Sequence, residues 1–350
     1  MAKLTERENL QMVYDGLVPE WVPLSERCSA IGYGPPMVIQ LRKNLTDTAP
    51  APRDQVGAGS RLFDIFGIEY EISDPRIGPM PAPDVFKVPD ITKWHEYFPP
   101  SLLPDLSSYD WNEIAKPVVD NWDRVNKRTK YLFTGCTGGT TYMWMATILG
   151  HKEAMIASLE EPEAWHELND VLTSWQEEAI RYIARYIKPD SICFCDDNAY
   201  GHGTFLSPAT YKEMIKPYHA RLAKAIISEG CVAEIHCCGK ADMIADDFVD
   251  IGLSAWNPAQ HFNDLEGIQE RHGNKLILEG GWESNGPAGI AGASEAIVRA
   301  AVRRAMDRSA KNGGYVFSTS GMTAVFDVGQ EHVDWISDEA VKYGEAFYKK

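Results

Sequence analysis

The sequence predicts an α/β chain built as a single closed (β/α)8 barrel, preceded by an N-terminal extension of loops and short helices. From about residue 129 onward, short apolar runs alternate with stretches of helical period, divided by Gly, Pro or Ser-Pro punctuation. Repeated βα units of this kind make a parallel sheet with helices outside it. Their number, in a chain of 350 residues, favours a closed barrel over an open doubly wound sheet. No Gly-x-Gly-x-x-Gly follows a first strand, so a dinucleotide-binding sheet has little support. Residues 1–350 read as one domain, with 1–128 its irregular N-terminal part and 129–350 its regular units.

The elements follow in order. Residues 3–16 carry Leu4, Leu10 and Val13 at helical spacing, and Pro19 and Pro23 bracket an entry into a first strand at Trp21-Val22. Residues 25–60, rich in Gly, Pro and Ala, read as a long functional loop. An irregular hairpin spans 62–72, and the Pro- and aromatic-rich segment 73–104 reads as a wrapping stretch. Strand-like Lys130 to Thr134 leads into a Gly-rich turn at Gly135, Gly138 and Gly139, which lacks the Walker lysine of a phosphate loop. A long helical region covers 151–187, striped by Leu168, Leu172, Trp175, Ala179, Ile183 and Ile187. Strands at 191–197, 231–239, 253–257, 275–281 and 314–318 then alternate with helices at 207–230, 241–250, 264–272, 294–311 and 332–348. Ser207-Pro208 supplies a cap and a first-turn proline.

A formal net charge of −16 makes nucleic acid and anionic membrane surfaces poor partners. No apolar run reaches membrane-spanning length, and the charged residues Met1 to Glu8 lack a signal peptide's apolar core. The seven cysteines, including Cys193/Cys195 and Cys237/Cys238, fit reduced thiols in a cytoplasm better than a disulfide framework. A homo-oligomer stays open.

The chemistry concentrates in Cys231-Val232-Ala233-Glu234-Ile235-His236-Cys237-Cys238-Gly239. Alternation puts Glu234, His236 and Cys238 on one face, and a carboxylate, an imidazole and a thiol converging at a strand end could hold zinc. A buried strand whose polar residues are merely hydrogen-bonded fits the same nine residues. On 191–197, Ile192 and Phe194 should face the helices, and Cys193, Cys195 and Asp197 the interior. Asp197 could bind a substrate hydroxyl or carry a proton, or only cap its loop. Tyr200 and His202 sit in the next turn, where a histidine is often simply exposed. Trp256, Trp282, Tyr142, Met143 and Trp144 near strand ends could line an aromatic pocket, or be core.

Asp196-Asp197, Ser207-Pro208-Ala209-Thr210-Tyr211, Pro217-Tyr218, His236-Cys237-Cys238-Gly239, Trp256-Asn257-Pro258 and Leu278-Glu279-Gly280-Gly281 together resemble the uroporphyrinogen decarboxylase superfamily. Asp64-Ile65-Phe66-Gly67 fits it more loosely. The resemblance implies a TIM-type barrel with its site at the C-terminal mouth. The His-x-Cys-Gly element is similar to the zinc site of the corrinoid-dependent methyltransferases. The arginine-rich N-terminal signature of the decarboxylases is missing, since Arg27 and Arg42 are isolated. One departure matters: thiol-activating methyltransferases carry a third ligand, a cysteine after the last strand, where this chain reads Ser318-Thr319-Ser320-Gly321-Met322. Glu234 is therefore expected to join His236 and Cys238 as the third zinc ligand.

A carboxylate in place of a thiolate hardens the metal toward oxygen. The expected function is zinc-dependent transfer of a methyl group from a methoxylated, aromatic small molecule to the Co(I) corrinoid of a partner protein. No Asp-x-His-x-x-Gly corrinoid motif occurs in the chain itself. Asp197 and His202 would be catalytic, and Tyr200, Trp256, Asn257 and Trp282 would bind substrate. The competing readings are methyl transfer from a methylcorrinoid to a thiol or folate, porphyrin decarboxylation, and a non-catalytic binding barrel.

Overall fold

The computed structural model describes residues 4–32, 56–64, 66–74, 79–135, 139–319 and 328–349. The first helix, α1 (Glu6–Tyr14), starts at a reciprocal capping box between Thr5 and Glu8. Its Leu10 and Val13 pack with Tyr131, Ala255, Ile277 and Val316 and stopper the N-terminal end of the barrel. Each such burial contributes about 1.5–3 kcal/mol. Arg7 on α1 forms a bidentate pair with Asp190, which also accepts the Leu132 N–H at 2.7 Å.

The chain then makes one helical turn, α2 (Ser25–Cys28), and a strand, β1 (Ser29–Gly32). Neither is signalled by period, because each is four residues long; the rest of the long loop expected there, 33–55, lies outside the described residues. The extension continues with β2 (Arg61–Phe63), β3 (Glu69–Glu71) and β4 (Met80–Pro81), a small antiparallel sheet that contains the expected hairpin. Asp64 holds its turn by accepting the N–H groups of Phe66 at 2.9 Å and Ile68 at 2.8 Å. Helices α3 (Trp94–Tyr97) and α4 (Trp111–Asp120) follow, the latter capped by Asp110.

Regular units begin at β5 (Tyr131–Gly135). The expected helical region resolves into α5 (Thr141–Leu149), α6 (His151–Glu160) and α7 (Pro162–Tyr186). Pro162, which has no N–H to give, opens α7 and divides it from α6. Trp111 of α4 stacks on Tyr182 of α7 with centroids 4.8 Å apart, which pins the extension to the outer layer. The chain then runs through β6 (Ser191–Cys195), a hairpin of β7 (Ala199–Tyr200) and β8 (Gly203–Thr204), and helices α8 (Pro208–Met214) and α9 (Lys216–Ser228). There follow β9 (Val232–His236), α10 (Ala245–Asp250), β10 (Ala255–Ala259), α11 (Leu265–His272), β11 (Ile277–Gly281), α12 (Glu295–Ser309), β12 (Tyr315–Ser318) and α13 (Gln330–Phe347). Ser207 caps α8 by accepting the Thr210 N–H.

The main sheet runs β1-β5-β6-β9-β10-β11-β12, and every neighbouring pair in it is parallel. Among the described residues this sheet has seven strands, where the sequence led to an expectation of eight. The sheet curls into a TIM-type α/β barrel: Leu24 bridges Phe317 in parallel, and Phe317 N–H donates to Pro23 O at 2.9 Å. The turn of α2 thus splits the first strand, its lower part meeting β12 and its upper part β5. No helix among the described residues is long and apolar enough to cross a membrane.

Burial pushes the Asp64 carboxyl up to about 7, against the two N–H groups that favour its charge. The unfolded chain loses this proton near its ordinary value of about 4. Folding therefore takes up a proton between these values, and stability falls as pH rises through that window, by at most about 1.4 kcal/mol per pH unit. Asp64→Asn keeps the Oδ1 acceptor and is expected to flatten this slope. Urea unfolding across that range measures it, and parallel profiles for variant and wild type would contradict the assignment.

Candidate functional site

The site grows from strand alternation. On β9, Ala233 and Ile235 are wholly buried on the helix side, while Glu234 and His236 point to the barrel interior. Parallel register pairs His236 with Cys195 of β6 and with Asn257 of β10, so three chain segments present one row at the mouth. His236 Nδ1 lies 2.9 Å from Asn257 Oδ1. An amide oxygen accepts, so Nδ1 donates here and Nε2 is the ring nitrogen left to face a ligand. That Nε2 lies 3.4 Å from Cys238 Sγ and 4.0 Å from Asp197 Oδ1.

Ligand atoms of Cys195, Asp197 and His236 all lie within 4.8 Å of one another, the metal-competent group among the described residues. A thiol, a carboxylate and an imidazole with a second thiol beside them form a donor set that suits zinc. Burial pushes the Cys195 thiol well up, and the Asp197 charge adds to it. The same two causes push Cys238 up to about 12. A divalent cation would reverse both effects. Asp197 is fixed by accepting the Cys238 N–H at 2.7 Å. The turn that follows is tight: at Gly239 φ is +94°, and a Cβ would meet the Ala199 carbonyl carbon at 2.5 Å.

Behind Cys195 and Asp197 stands a buried network. Asp196 accepts the N–H groups of Tyr142 at 3.2 Å and Met143 at 2.7 Å, at the start of α5, and lies 2.7 Å from His219 Nε2. Tyr211 OH is 3.0 Å from His219 Nδ1. The network ties β6, α5, α8 and α9 together directly beneath two of the donors.

Glu234 lies one row lower, level with Cys193 and Ala255. Residues two apart on a strand share a face but differ in height by roughly 6.6 Å, and Glu234 stands outside the donor group. It is 1% exposed and accepts Tyr14 OH at 2.7 Å. Trp256 is wholly buried on the helix side, against Phe248 and with Nε1–H donating to Cys237 O at 2.8 Å. Trp282 is buried too. Tyr200 and His202 are exposed at the β7–β8 rim with their rings 5.9 Å apart, and Tyr200 stacks on Phe205.

A cavity of ≈ 760 Å³ opens beside the row, lined by His236 and Asn257, by Glu279 of β11 and by Phe133, Phe317 and Ser25 among others. The sequence pointed to Cys195 as inward-facing but not as a donor beside His236, because alternation gives a residue's face and not its partner on the next strand. Ser25 carried no signal.

A sequence model of uroporphyrinogen decarboxylase (URO-D) matches residues 63–343. The chain belongs to the uroporphyrinogen decarboxylase family. No curated protein matches it. Among solved structures, a methyltransferase from Methanosarcina mazei superposes with a TM-score of 0.68 at 14% identity, over 97% of this chain and 99% of that one, so the two share a fold. In this uroporphyrinogen decarboxylase barrel, the described basic residue lining the cavity, Arg27, is paired with Glu6 at 2.9 Å, while Glu26 and Glu279 add acid.

His219→Phe fills the same space but removes a hydrogen-bond partner from buried Asp196. It is expected to cost about 1.5–3 kcal/mol, read by guanidinium unfolding. An unchanged midpoint would show that Asp196 draws enough support from the α5 N–H groups and the Asn198 side-chain amide, which donates to it at 3.0 Å.

Proposed function

We propose that this barrel is a methyltransferase that takes a methyl group from a methoxylated aromatic compound, with zinc at its mouth and the Co(I) corrinoid of a separate protein as acceptor. The observation that carries the reading is the Cys195–Asp197–His236 group, with Cys238 alongside, at the edge of a cavity large enough for a substituted ring. Zinc held there would neutralise charge on the oxygen that loses its methyl group. His236 and Cys238, the pair marked by the sequence, stay in this assignment. Cys195 and Asp197 take the place expected of Glu234. Asn257 orients His236 through Nδ1, the outer-shell support that metal-bound imidazoles need. Phe133 and Phe317 offer the ring apolar faces. Tyr200 and His202 stand at the rim, where a partner protein carrying the acceptor would approach. Asp197 acts as a ligand in this reading, so the leaving oxygen draws its proton from elsewhere.

Metal analysis of zinc-reconstituted protein tests the donor set. We expect one zinc per chain. His236→Ala and Cys195→Ser should weaken binding by more than the 10–100-fold that loss of a supporting group typically costs. Glu234→Gln should keep the metal. Loss of the cob(I)alamin absorbance with methoxyarenes then tests the transfer. Full transfer by zinc-free protein would sink the reading, and methylation of a thiol from methylcobalamin without ether cleavage would reverse its direction.

A further inference from the structure

Methyl transfer as read above leaves the Glu279 carboxyl of the cavity without a task. Glu279 Oε1 accepts the Ser25 hydroxyl at 2.7 Å, and the carboxyl is surrounded by protein except where it faces the cavity. Register places it at the height of His236 and Asn257. Trp256 pairs with Leu278, Ala259 pairs with Gly280, and Glu279 falls between. It stands two strands from His236, roughly 10 Å along the sheet. Its backbone has no slack, because at Gly280 a Cβ would meet Ala259 O at 2.7 Å. Among the described residues, the groups around it are Glu234 on β9, Glu26 on α2, Tyr14 on α1, Tyr315 on β12 and Cys28, and no base is among these. An anionic ligand group would meet acid here.

We propose that Glu279, held by Ser25, is a second polar subsite that takes an uncharged hydroxyl on the methoxylated ring and so selects hydroxylated over unsubstituted aryl methyl ethers. The proposal rests on the reading of the cavity as a site for such ethers. Burial, and after it the Glu234 charge, push the Glu279 carboxyl up to about 8. At neutral pH it therefore offers one donor and one acceptor, the complement of a hydroxyl.

Calorimetric binding to the zinc-loaded protein tests this with 2-, 3- and 4-methoxyphenol against methoxybenzene. We expect Glu279→Leu to weaken the best methoxyphenol about tenfold, the scale of one hydrogen bond, while methoxybenzene changes less than about twofold. Glu279→Gln should restore most of the preference. Ser25→Ala should lose part of it, and decides the matter if the Leu variant does not fold. Equal losses for both ligand types, or none, overturn the subsite while the ether reading stands. Wild-type protein that binds no methoxyarene overturns both.

Discussion

The parallel register of β6, β9 and β10 is the constraint from which the site follows. Cys195, His236 and Asn257 come from three separate parts of the chain, and only that register puts them in one row. A slip of one residue would turn every inward donor toward the helices. The cost of such a slip is set on the other side of the sheet, where Ile192, Phe194, Ala233, Ile235 and Trp256 are all wholly buried. Trp256 also hydrogen-bonds Cys237 O, so its packing fixes the chain just beyond His236. The helix layer thereby holds the donors in place, although it contributes none of them.

The same alternation explains what the sequence could tell. The regular units from residue 129 were legible because each carries its own period and its own punctuation. Of the proposed donors, His236 and Cys238 are marked in the sequence by residue type. Glu234 was placed with them because alternation records the face of a strand and not the height along it. Cys195 carried no mark as a neighbour of His236, because pairing between strands leaves no trace in either one. Trp256 and Asn257 are adjacent on β10, so they face opposite ways and only Asn257 lines the cavity. The N-terminal half was less legible for another reason: its elements are short and hold together through contacts such as Trp111 on Tyr182, distant in sequence.

Below the donor row the interior changes character in steps. Leu10 and Val13 of α1 fill the N-terminal end with apolar atoms. Above them Tyr14, stacked on Tyr131, meets Glu234. Burial raises the Glu234 carboxyl, which the Tyr14 hydroxyl partly offsets. A charge so far from water is costly without a paired cation, and protonation removes the cost. Glu234 thus sits where burial works against its charge and a tyrosine hydroxyl works for it.

At the mouth the same pressure has a different outlet. Burial and the Asp197 charge hold the Cys195 and Cys238 thiols protonated in the cation-free chain. Each thiolate becomes favourable only with a positive charge at the point where it meets Asp197 and His236, so cation uptake there must release protons. Glu279 faces the cavity two strands away, outside that group, and has no such counter-charge. The mouth therefore holds two kinds of acid: thiols whose ionisation a cation would favour, and, facing the cavity two strands away, a carboxyl that burial pushes up to about 8. A ligand spanning them would meet positive charge at one end and an uncharged hydrogen-bonding group at the other. In the proposed reading, that asymmetry would orient a ring carrying an ether oxygen and a hydroxyl.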